Sequence, residues 1–186
     1  VDAFYDAQSN DYADISASVK TGAGEAADVL FAADNIKSLV INADKNADNK
    51  VIYVNVDDSA AEDKKVNQAG KLVVNAEDDV IFTIIETFKG TEGVAGNTAF
   101  RTLIDAGKNS HVKLVQVFLQ PKEQDVLSDI GSRCADEAGF ELVQLFLGEG
   151  SLYDGIRTDL KGNKSEFICN IGYFGIDKQN IDINLI

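Results

Sequence analysis

A chain of 186 residues, 45% hydrophobic, is long enough for one domain with a real core. Its 31 acids against 17 bases give a net charge of −14, a surface that repels nucleic acid and anionic membrane and so argues against both as partners. With two cysteines, Cys134 and Cys169, it has no disulfide framework; one bridge is possible but not supported by spacing, and the apolar settings of the two favour buried free thiols. The charge is uneven: residues 1–63 hold 13 acids and 4 bases. No apolar run approaches the roughly 18 residues of a membrane span, and the opening Val1-Asp2-Ala3-Phe4 shows no signal-peptide pattern.

Residues 1–24 are polar and Asp-rich and read as an N-terminal arm, with a short strand around Ile15–Val19 as one option. Phe4, Tyr5 and Tyr12 on this arm are candidate anchors for a partner. The remainder, 25–186, reads as one strand-rich domain. Glu25–Ala33 suits a short helix. Ser38–Ala43 and Val51–Val56 read as two strands of a hairpin joined by a polar turn. Asp57–Val66 is charged loop. Lys71–Asn75 and Val80–Phe88 repeat the theme, and Val80–Ile85 is apolar on both faces, as in a sheet interior. Gly90–Asn97 is a glycine loop, and Thr98–Ala106 suits a short helix stopped by Gly107.

The clearest pattern comes next. Leu114–Leu119 read LVQVFL, and 28 residues later Leu142–Leu147 read LVQLFL. As strands, Leu114, Gln116 and Phe118 share one face, matched by Leu142, Gln144 and Phe146. Between them, Val126, Leu127, Ile130, Cys134 and Ala138 fall on one helical face, with Pro121 in the first turn and Gly139 as the stop. This predicts one main helix over about 122–138. Gly148–Asn163 reads as loop, and Glu166–Ile176 and Ile181–Ile186 as closing strands. The fold class expected is therefore α+β, a mostly antiparallel sheet or sandwich with one main helix between two similar buried strands. The alternative is α/β with a parallel crossover. A single repeated strand pair argues against a solenoid, which needs several units, and a weak third echo at Ile171 and Phe174 reads as chance.

Chemistry-bearing motifs are sparse. Asp44, Asn46 and Asp48 set alternate oxygen side chains in a tight loop, the way calcium is caged, so they are the candidate metal ligands. Asn49 stands where an EF-hand-like loop wants Gly, and Asn55 where it wants a bidentate acid; the competing reading is a polar turn. Glu77-Asp78-Asp79 and Asp57-Asp58 are acidic pairs in apparent turns. His111, the single histidine, has no partner assignable from spacing. Gly148, Gly150 and Gly155 miss a dinucleotide fingerprint, and Gly90, Gly93 and Gly96 lack the ending of a phosphate loop. Asn163-Lys164-Ser165 fits a glycosylation sequon.

The absence of catalytic hardware and the abundance of strands point to a non-enzymatic assembly subunit. The expected class is a virion structural protein, a phage tail-tube or capsid-decorating protein, associating with itself or with other assembly subunits in a virion or extracellular setting. The alternatives are a secreted or surface module using calcium at Asp44, Asn46 and Asp48, and a carboxylate-based hydrolase. No other cofactor is indicated.

Overall fold

The computed structural model describes residues 2–6, 10–33, 35–57, 65–176 and 178–186, and side chains within them from residue 14 onward. Strand β1 (Asp2–Asp6) and helices α1 (Asn10–Ser18) and α2 (Glu25–Phe31) come first. Then strand follows strand: β2 (Lys37–Ala43), β3 (Lys50–Asp57), β4 (Lys65–Ala76), β5 (Ile81–Lys89), β6 (Ala95–Ala106), β7 (His111–Leu119), β8 (Gln124–Cys134), β9 (Gly139–Phe146), β10 (Leu152–Leu160), β11 (Glu166–Tyr173) and β12 (Ile181–Leu185). The chain alternates between two sheets. One is seven-stranded in the order β1-β2-β4-β6-β8-β10-β12, and the other five-stranded in the order β11-β9-β7-β5-β3. Every pairing but β1–β2 is parallel. Each coil therefore contributes one strand to each sheet, and the coils stack into a β-solenoid.

This overturns the α+β expectation and both of its forms. No hairpin joins the paired segments, because each strand's hydrogen-bonding partner lies one whole coil away in sequence. The two repeats do pair, in parallel, with Leu114 beside Leu142, Gln116 beside Gln144 and Phe118 beside Phe146. They are one turn of the coil, so the solenoid that the sequence argues against is the architecture. The third echo is displaced: β11 follows at 27 residues, putting Ile171 beside Gln144 and Tyr173 beside Phe146.

The helix expected over 122–138 is strand β8. Positions 126, 130 and 134 are separated by four, an even number, so they share a face of a strand as readily as of a helix. Ser128 and Ser132 occupy the same inner face and hide its period of two. Thr98–Ala106 likewise belongs to strand β6, Leu152–Leu160 is strand rather than loop, and Ile15–Ser18 lies in α1.

The core lies between the sheets. Inner-face residues stack by register: Ile84, Leu114 and Leu142 form one row, and Phe88, Phe118 and Phe146 another. The phenyl rings follow one another at 4.6 and 4.8 Å between centroids, close enough for offset stacking. At the turn into the five-stranded sheet, Asp79, Asn109, Glu137 and Lys164 each take a left-handed backbone with φ between 55° and 60°. Three residues further on come Phe82, Val112, Phe140 and Phe167, one row of the core. Asp78 Oδ1 accepts from the Lys108 amide at 2.7 Å and Asp136 Oδ1 from the Asn163 amide at 2.7 Å, so turn acids tie each coil to the next.

The outer face of the seven-stranded sheet is covered by the chain's own N-terminal segment. Ile15 and Val19 pack on Val40, Val73 and Leu103, while Ala27, Phe31 and Ile36 pack beside Ala99. Between these patches Arg101 is buried, with Nε 2.7 Å from Asp129 and Nη2 2.7 Å from Asp28, and its guanidinium lies 4.6 Å from the Phe31 ring centre. The segment at Gly22 crosses Gly155 so closely that a Cβ on residue 155 would sit 2.1 Å from the Ala23 amide nitrogen. Residues 14–24 are thus packed onto the solenoid. No described helix is long and apolar enough to cross a membrane.

Candidate functional site

Most buried positions inside the coil are apolar, but one row is not. Glu86 on β5, Gln116 on β7 and Gln144 on β9 occupy successive coils in register, all pointing inward and all buried. From the opposite sheet Thr102, Ser128 and Asp154 face them, also buried. Burying such groups is costly unless they bond one another, and they do. The Thr102 hydroxyl donates to Glu86 Oε1 at 2.8 Å and Gln116 Nε2 to Glu86 Oε2 at 2.7 Å. Gln144 Nε2 donates to Gln116 Oε1 at 2.8 Å and to Asp154 Oδ2 at 2.9 Å. The result is a hydrogen-bonded chain of side chains running along the coil axis, from Thr102 on β6 to Asp154 on β10.

Its two acids are perturbed. Burial pushes Glu86 up to about 7 against the opposing bonds from Gln116 and Thr102. Burial also pushes Asp154 up to about 6; Ser128 and Gln144 oppose the rise and the Asp129 charge adds to it. On β11 the row ends at Ile171, the register partner of Gln144, while Cys169, half-buried beside Leu142, has its thiol raised first by burial and then by the Asp154 charge. Cys134 is buried at the end of β8, pushed up to about 11 by burial with Asp105 adding. Both cysteines are free thiols.

The sequence missed this row because each member looked incidental alone. The signal was present all the same: a glutamine at the centre of both hexapeptides, where an apolar strand has no local need of one.

The residues singled out on sequence lie elsewhere and do not converge. Asp44 caps a single 3-10 turn, Lys45–Ala47, accepting from the Asn46 amide at 2.8 Å and from Asn46 Nδ2 at 2.9 Å. The backbone bond from Asn46 lowers its pKa first and foremost. Asp48 accepts from the Ile81 amide at 3.0 Å and from Asn49 Nδ2 at 2.8 Å. Asp44 and Asp48 thus spend carboxylate oxygens on their own turn and on the next coil, and Asn46 serves them as a donor. Among the described residues no group of three or more His, Cys, Asp or Glu is placed to hold a metal ion. His111 lies on the outer face of the five-stranded sheet over Gly139, whose missing Cβ leaves room for the imidazole. With Lys113, Glu141 and Glu166 it lines a shallow cavity of about 220 Å³. Gly148 and Gly150 offer carbonyls to Gln179 Nε2 at 3.0 and 2.8 Å. The side chains of Phe4, Tyr5 and Tyr12, and residue Asp58, lie outside the described residues.

A stacked parallel coil that encloses a polar row defines the β-solenoid class. The comparison with known families makes it specific. The family model for the SUF system of FeS cluster assembly, SufBD core domain, matches residues 58–186, more than half of the chain, and the chain belongs to that family. No curated protein and no solved structure matches it.

Membership overturns the virion reading, and with it the phage, tail-tube and capsid assignments, and it lends no support to the calcium-dependent surface module or the carboxylate hydrolase. The SUF system is cytoplasmic, which overturns a virion or extracellular placement. The error has a physical source: strand-rich composition and an acidic surface occur in proteins of many functions, so they could not separate one from another. The coarser expectation of assembly partners stands, since proteins of this family work in a complex with other Suf subunits.

Proposed function

We propose that this chain is a non-enzymatic scaffold subunit in FeS cluster assembly, with the cluster as cargo, and that another SUF subunit docks on the outer face of its five-stranded sheet. The observation that carries this is the composition of that face. Tyr53, Ile85, Val115 and Val143 form one outward row by register, and Val117 and Leu145 sit beside each other in the next. Tyr53 is 69% exposed, and Ile81, Leu119, Leu145 and Ile168 are exposed as well. Apolar outer strands leave a contiguous surface of the kind that marks a protein interface. Its charges are balanced locally, with Lys113 Nζ 3.0 Å from Glu141 Oε1, although the chain as a whole carries −14. A partner therefore meets an apolar patch whose central charges are already paired.

The test is co-expression with the other subunits of the same SUF system, followed by affinity capture and light scattering. Val117→Asp and Leu145→Asp place a charge at the centre of the face. The expected result is a variant that keeps its circular dichroism spectrum and melting temperature yet loses the complex. A complex that forms unchanged with both substitutions sinks the docking face. Failure of the wild-type chain to associate with any SUF subunit, together with unaltered FeS enzyme activity in cells lacking it, sinks the scaffold role.

A further inference from the structure

The outer face of the five-stranded sheet ends beside a polar cavity. Its last outward row is Lys89, Leu119 and Leu147: Lys89 and Leu119 are register partners, the Leu147 amide donates to the Phe118 carbonyl, and both leucines are exposed. Where the chain turns toward the seven-stranded sheet, a cavity of about 380 Å³ opens across three successive coils. Glu92 comes from the first coil, Gln120, Lys122 and Glu123 from the second, and Glu149 from the third, with Leu119 and Leu147 at its edge.

Two oxygens of these residues are buried and, among the described residues, accept no hydrogen bond: Gln120 Oε1 and Glu123 Oε2. Gln120 is only 3% exposed, so its carboxamide is not a solvated surface group. Its oxygen faces the third coil, where a Cβ on Gly148 would stand 2.9 Å from it; the glycine keeps that space open. Leaving buried acceptors unpaired is costly, so both call for a donor from outside the chain.

The kind of donor follows from the surroundings. Glu92, Glu123 and Glu149 line the cavity against one cation, Lys122. Lys122 Nζ stands 3.6 Å from Glu123 Oε1 on a side chain 72% exposed, and Oε2 is left unserved. The occupant that fits is therefore positively charged. A metal ion fits poorly, because no group of three or more His, Cys, Asp or Glu among the described residues is placed to hold one. A guanidinium fits poorly too: its fork matches both oxygens of a carboxylate, and here only one is open. An ammonium is a compact charge with three N–H donors, able to serve one carboxylate oxygen, one amide oxygen and a further acceptor. The exposed Leu119 and Leu147 suit the apolar stem that carries an ammonium in lysine.

We infer that this cavity receives a lysine side chain of the SUF subunit that docks on the five-stranded sheet, its ammonium bonded to Glu123 Oε2 and Gln120 Oε1. The inference rests on the docking face and adds a charged anchor at its edge. The apolar patch supplies contact area, and the cavity fixes register.

The test uses the purified full chain and the SUF subunit captured with it. Glu123→Gln removes the charge and keeps the shape; Gln120→Leu removes the unpaired oxygen. Each should raise the Kd of the complex about tenfold or more. Glu123→Gln should also flatten its dependence on salt, and neither should lower the melting temperature. Carbodiimide coupling of the wild-type complex, followed by peptide mass spectrometry, should join a lysine of the partner to Glu123, Glu92 or Glu149. An unchanged Kd in Glu123→Gln, with Val117→Asp still abolishing the complex, overturns the lysine site and leaves the docking face standing. A fall in melting temperature that accompanies the lost affinity makes both residues structural and overturns it as well. So does a heat of binding from magnesium or calcium alone that Glu123→Gln abolishes, which assigns the cavity to a metal ion. A wild-type chain that captures no SUF subunit removes the docking face and the lysine site together.

Discussion

The two outer faces of this solenoid are built from similar strands and meet opposite fates. On the seven-stranded sheet, Val40, Val73 and Leu103 are buried under Ile15 and Val19, and the N-terminal segment is pinned by Arg101 between Asp28 and Asp129. On the five-stranded sheet, Val115 and Val117 are half-buried and Leu145 is exposed, with no described segment packed over them. Local strand composition is thus no guide to which face is core and which is surface. What distinguishes them is a long-range device: buried Arg101, held by buried Asp129 on the next strand, reaches out to the exposed Asp28 of α2 and fastens a helical segment from far away in sequence.

The strongest way to break the contrast is to remove the pin. Arg101→Ala leaves Asp129, 0% exposed, without its guanidinium, and stranding a buried charge costs on the order of 3–5 kcal/mol. Urea denaturation should show that loss, and limited proteolysis should cut first within residues 14–36, making the covered face resemble the open one. Unchanged stability would mean that packing alone holds the segment.

The interior supplies the next effect. Glu86 and Asp154 hold their protons more tightly in the folded chain than in the unfolded one, so the stability tied to protonation is full below the ordinary carboxylate range. It is lost as pH rises through about 6 and then about 7. Stability should therefore fall between about pH 5 and pH 8, and Glu86→Gln should recover on the order of 2–3 kcal/mol at pH 8 relative to wild type. The acidic surface pushes the same way, so the difference between the two pH profiles, not either alone, is the measurement.

Smaller still is Asn75→Ala, on the covered sheet, which removes the 2.7 Å bond from Asn75 Nδ2 to Asn42 Oδ1 between adjacent coils. The expected loss is about 1 kcal/mol in thermal unfolding. The smallest effect on stability, within about 0.5 kcal/mol, belongs to Leu145→Ser on the open face. Its consequence should appear only in association with a partner. A large loss of stability there would mean that the face is core after all.

Much of the strand content was legible in the residues. The strands at 38–43, 51–56, 80–88, 111–120 and 140–147 were set by alternating and β-branched runs, and the LVQVFL and LVQLFL pair marked one turn of the coil. The Asp44–Asp48 turn was legible as a turn. What misled was β8, where Val126, Ile130 and Cys134 satisfy two periodicities at once, and β6, where a short apolar run bounded by Gly107 resembled a helix with its stop. The polar row was legible only in the matched Gln116 and Gln144; Glu86 and the facing Thr102, Ser128 and Asp154 join it only once the coils are stacked.

By itself the sequence determined that strands dominate, that the surface is acidic, and that Leu114, Gln116 and Phe118 share one face as Leu142, Gln144 and Phe146 do. Those are local consequences of side-chain size, branching and charge. Only the tertiary structure decided that strands pair with the next coil rather than the next strand, that one outer face is covered and the other open, and that six polar side chains meet inside the core. Each of these depends on contacts tens of residues apart, which are settled by the stacking of whole coils rather than by the preference of any single segment.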